Sequence, residues 1–96
     1  MDFAKLLKPY AEPLPDGRPT RTPEAQIRWL QKKGIPRNFI DQALLTVFNE
    51  LESGATFLDG HELDQHLYKV ARELQEADAT KQVRELETFM NTFKSQ

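Results

Sequence analysis

The residues best suited to chemistry stand together in one stretch, His61-Glu62-Leu63-Asp64-Gln65-His66. A zinc site on a helix wants histidines at i and i+4, about 40° apart around the axis, so that both imidazoles face one metal. These two stand at i and i+5, about 140° apart, and point away from each other. Asp59-Gly60 suggests a calcium loop, but putting Gly60 at the sixth position leaves Ala55 and Phe57 where the first and third ligands belong. Nucleophilic catalysis finds no cysteine, and neither Ser53 nor Ser95 has a histidine and an acid at useful spacing. No glycine-rich phosphate loop is present. The expectation is a non-enzymatic chain with no catalytic residue, no metal and no cofactor.

The elements that must carry any other function are helical. Thr22-Pro23-Glu24 combines a capping hydroxyl, proline at the first helical position and an acid in the first turn. Gly34 ends that helix after Lys32 and Lys33, with Ile27 and Leu30 on its inner face. After Ile35-Pro36, Asn38-Phe-Ile-Asp41 resembles a capping box with Asp in the Glu position. Phe39, Ile40, Ala43, Leu44, Val47, Phe48 and Leu51 give the second helix a broad apolar face, with Leu45 off it and Gly54 as its stop. This helix is the expected centre of the core. Asp59 and Glu62 are placed to cap a third helix, with Leu58 and Leu63 at the staple positions. Leu63, Leu67, Val70, Leu74 and Ala77 then form a heptad seam. Beyond it the apolar residues shift to Val83, Leu86, Met90 and Phe93, which predicts a break or kink near Asp78-Ala79-Thr80.

Ahead of these helices, Asp2 to Lys8 has two turns' worth of helical pattern, stopped by Pro9. Five of the six prolines fall between positions 9 and 23, around an Asp16-Gly17 turn, without any PxxP spacing. The expected organisation is residues 1–22 as a short helix plus extended Pro-rich segment, anchored by Tyr10 and Leu14, and residues 23–96 as the helical domain. The fold class is all-α: a small bundle of three to four helices with the Pro-rich segment laid on it.

Leu, Ile, Val and Phe make up a quarter of the 96 residues, enough for one modest core. No apolar run reaches the length of a membrane helix, and the start Met-Asp-Phe-Ala-Lys lacks the order of a secretory signal. With cysteine absent, a cytoplasmic location and no membrane contact are expected. Charge is uneven. Residues 18–37 carry six bases against Glu24, and residues 38–96 carry 11 acids against 5 bases. That asymmetry speaks to partners and orientation.

Two function classes follow. The first is binding: an adaptor, regulatory or assembly subunit, for example one part of a virion, whose partner is another protein or a second copy of itself. Its candidate residues are Phe89, Met90 and Phe93, with Trp29 and Tyr10 as aromatic anchors. Trp29 has a competing structural role beneath the Pro-rich segment. The alternative is a helix-turn-helix-like DNA-binding regulator using Arg28, Lys32, Lys33, Arg37, Asn38 and Gln42. Against it, the small residue expected four before the turn glycine is Leu30, and the chain's net charge is −2.

Overall fold

The computed structural model describes residues 3–94, with side chains described through Thr92. Four α-helices make the fold: α1 Phe3–Leu7, α2 Pro23–Lys32, α3 Arg37–Glu52 and α4 Gly60–Lys94. A 3-10 turn, Lys8–Tyr10, continues α1. The protein is all-α, and its one sheet-like feature among the described residues is an isolated Pro13–Pro19 bridge.

Local signals set most of the ends. The Thr22 hydroxyl oxygen accepts the Ala25 N–H at 3.1 Å, and Pro23 opens α2 without sacrificing a helical donor. Gly34 ends α2 at φ 87°, a conformation that side-chain-bearing residues rarely adopt. Its N–H reaches the Gln31 carbonyl, and the Ile35 N–H reaches the Leu30 carbonyl at 3.1 Å. Ile35 and Leu30 are both buried, which completes the hydrophobic contact of a Schellman ending. The same pattern recurs at Gly54 and Ala55 after α3. At α4 the Asp59 carboxylate accepts the Glu62 N–H at 2.9 Å, and Glu62 reaches back to the Leu58 N–H at 3.0 Å. Asp59→Ala therefore lowers stability by about 0.5–2 kcal/mol in urea unfolding. A loss below that range would show that water replaces the cap fully.

α3 is the central helix, in contact with α1, α2 and α4. Ile40, Ala43, Leu44, Val47 and Phe48 meet Leu7 of α1, Leu30 of α2, Ile35 of the connection, and Leu63, Leu67 and Ala71 of α4 in one core. Phe3 stacks on Phe48 with ring centroids 4.1 Å apart. Leu45 is exposed, as its position off the apolar face requires.

Five expectations are corrected. There is no break at 78–80: α4 runs unbroken through Asp78-Ala79-Thr80. Nothing there interrupts the helix, and Gln82 donates across one turn to the Asp78 carboxylate at 2.8 Å. Asn38 does not cap α3; Pro36 takes that place with extended backbone, and its carbonyl accepts the Ile40 N–H. Asp41 pairs instead with Arg37 at 2.8 Å, one turn away on the exposed face. Leu58 does not staple to Leu63. It is 84% exposed while Leu63 is buried, and its backbone N–H is taken by the Glu62 carboxylate. Leu14 does not anchor the Pro-rich segment: it sits at a tight turn closed by the Gly17 N–H on its carbonyl, and stays exposed. Ala77 is exposed; Ala71 packs into the core in its place, where α3 still covers α4.

Candidate functional site

The Pro-rich segment is tied to the helices through one polar node. The Arg21 guanidinium donates to the Asp64 carboxylate of α4 at 3.1 Å and to the Tyr10 carbonyl at 3.0 Å. The buried Gln26 side chain of α2 donates to the same carboxylate at 2.8 Å. Three segments thus converge on one acid, which accepts charge-assisted bonds from both side chains. Gly60 completes the node. A side chain there would overlap the Arg21 guanidinium, which would have to move out of this position to make room. Tyr10 belongs to the same scaffold. Its hydroxyl oxygen accepts the Phe57 N–H at 3.0 Å, and its ring meets Phe57 edge-on. Trp29 is half-buried and packs edge-on against Tyr68 of α4, with the Lys33 ammonium 5.6 Å from its ring centroid.

The histidines are separated by the helix as their spacing requires. His61 is exposed, whereas His66 Nε2 lies 2.8 Å from the Glu50 carboxylate, with its ring against Phe57. Among the described residues no group of three or more His, Asp or Glu is placed to hold a metal. Ser53 closes the end of α3 through its backbone, and Ser95 lies outside the described residues.

The basic candidates are dispersed over two helices. Arg28 and Lys32 are exposed on α2, and Lys33 is exposed at its C-cap. Asn38 and Gln42 are exposed at the start of α3, and Arg37 is held by Asp41. The buried side of α3 is committed to the core. Of the cations in the basic stretch, Arg21 is taken up internally by Asp64 and Arg18 pairs with Asp16.

Among the described residues, four of the seven exposed large hydrophobic residues lie on the distal part of α4. Core contact ends near Leu74, and every residue from Ala79 to Thr92 is exposed. Thirty-five residues at about 1.5 Å each make a helix far longer than the body is wide. The molecule is accordingly drawn out, 66 × 28 × 22 Å. Val83 is 54% exposed, Leu86 58%, Phe89 67% and Met90 48%. At about 100° per residue, Val83, Leu86 and Met90 fall about 150° around the helix from Leu63, Leu67, Val70, Ala71 and Leu74. A continuous helix cannot lay both stripes on the same body. Phe93 follows in sequence at the same spacing, with its side chain outside the described residues.

Comparison with protein-family models, curated proteins and solved structures finds no match to this chain.

The stripe was legible in the 3-and-4 spacing of its apolar residues. Its exposure was not, because sequence spacing alone does not show where the body stops. The Arg21–Asp64–Gln26 node had no sequence signal beyond an acid placed between Leu63 and Leu67.

No helix among the described residues is long and apolar enough to cross a membrane.

Proposed function

We propose that this chain is a small non-enzymatic protein-binding subunit, of adaptor, regulatory or assembly type, whose binding element is the distal half of α4. The observation that supports this most is the exposure of Val83, Leu86, Phe89 and Met90 on a helix that has left its own core. Together they present on the order of 400 Å² of apolar residue surface, the scale at which a patch on a monomer marks an interaction site. Leu, Phe and Met side chains on one helix suit helix-mediated contacts, since they cover area and adapt to a facing surface. Tyr10 and Trp29 serve this reading indirectly, by holding the Pro-rich segment and α2 against the base of α4.

Capture experiments with the full chain test the proposal. Wild type retains a stoichiometric protein partner, itself included, and Leu86→Gln with Met90→Gln releases it. Glutamine keeps helix propensity while removing the apolar surface. Equal retention by both chains would remove the distal helix from the binding surface.

A further inference from the structure

The exposed face of α4 has a pattern that selects its occupant. Ala79, Val83, Leu86 and Met90 are spaced 4, 3 and 4, the phase in which one helix packs against another of the same kind. One flank of this stripe is charged. Ala79, Thr80, Val83, Arg84 and Glu87 line a shallow groove, so Arg84 and Glu87 lie beside Val83 on the same side of the stripe. Both are exposed, and neither has an ion-pair partner within 4 Å among the described residues. The opposite flank carries Gln82 and Phe89, with the Asp78 carboxylate bonded to Gln82 and Glu85 farther round, so its charges are acidic.

We propose that the occupant is the same face of a second copy, paired antiparallel. This rests on the reading of the distal helix as a binding surface and names its partner. An antiparallel pair brings like flanks together, so Arg84 of one copy faces Glu87 of the other, and the contact occurs twice by symmetry. A parallel pair sets Arg84 and Glu87 against the flank of Gln82, Phe89 and Asp78, which offers Glu87 no cation. Leu86 falls near the middle of the stripe, which places Val83 of each copy near Met90 of the other. The two bodies then sit at opposite ends of the shared segment. In a parallel pair they would lie side by side, with Arg72 and Glu76 of each copy carried onto the extended seam.

About 400 Å² of apolar residue surface per copy, with the charged flank added, gives a total of about 1,000 Å², the lower bound of specific interfaces. Interfaces of this size belong to the weak, reversible class, so pairing is sought up to high micromolar concentration.

Sedimentation velocity on the full chain between about 1 and 500 μM reads this directly, with circular dichroism confirming that each variant is folded. Wild type passes from the 11.1 kDa monomer to twice that mass as concentration rises. Arg84→Glu alone and Glu87→Arg alone each place like charges in contact and weaken pairing at least about tenfold. The combined Arg84→Glu and Glu87→Arg swap restores it. A wild type that stays monomeric throughout overturns the proposal, as does a swap that fails to restore pairing or single reversals without effect. A monomeric wild type that still loses a captured protein on Leu86→Gln with Met90→Gln overturns the second copy alone. Loss of helical signal in that double variant overturns the binding-surface reading itself.

Discussion

Asp64→Ala lowers the stability of the chain by about 2–4 kcal/mol, although Asp64 is a charged residue in the second turn of a helix. Its side chain is 20% exposed and that of Arg21 is 18% exposed. Removing the acid leaves a largely shielded guanidinium with no carboxylate and the buried Gln26 amide with no acceptor. Breaking a fully buried pair by removing one partner costs about 3–5 kcal/mol, and the residual solvent access here trims that figure. Asp64→Asn keeps an acceptor oxygen for Gln26 and loses the charge, so it falls between wild type and alanine. The damage also spreads along the chain. Arg21 holds the Tyr10 carbonyl, so the Pro-rich segment loosens and is cleaved faster by protease between residues 11 and 20. Urea unfolding and limited proteolysis on the same samples check both halves. A loss below about 0.5 kcal/mol would mean that the pair behaves as an exposed one.

Phe48→Ala is the most damaging single change expected, at about 3–5 kcal/mol. Phe48 is 1% exposed on the central helix and is stacked by Phe3 from α1. Truncation leaves a cavity and unpairs α1 from α3 in one step. A chain this small has about 5–10 kcal/mol in total, so the variant melts at least about 12 °C below wild type. Leu45→Ala, one turn-fraction away on the same helix but 51% exposed, changes stability by less than about 1 kcal/mol. Thermal melts of the two variants separate the inside of α3 from its outside. Equal losses would contradict the packing described here.

Most helix ends were legible because they fall on local signals: Thr22 and Asp59 with hydrogen bonds in hand, Gly34 and Gly54 with positive φ. The core was legible through α3, whose paired apolar positions admit one buried face. The illegible features depend on distant residues. Asn38 and Asp41 satisfy the spacing of a capping box, yet Arg37 competes for the acid and Pro36 sets the entry of the chain. The shift in apolar phase after Ala77 has two readings, a break or a continuous helix whose apolar face rotates, and periodicity is the same in both. α4 is continuous, so the rotated stripe is carried away from the body. Met90 lies on that stripe and Phe89 on its flank, both exposed, while Trp29 and Tyr10 are held against α4 and the segment leading into it.

The distal half of α4 faces outward, and one melting experiment tests this directly. Leu86→Gln with Met90→Gln, compared with wild type in dilute solution at about 1 μM, removes two large apolar side chains without creating a cavity if nothing packs on them. The expected result is unchanged helical signal and a melting temperature within about 4 °C of wild type, because exposed helix substitutions of this kind cost only tenths of a kcal/mol each. A fall of about 15 °C or more, the signature of two core truncations, would show that the stripe is covered by the chain's own body and contradict the proposal that it is a binding surface.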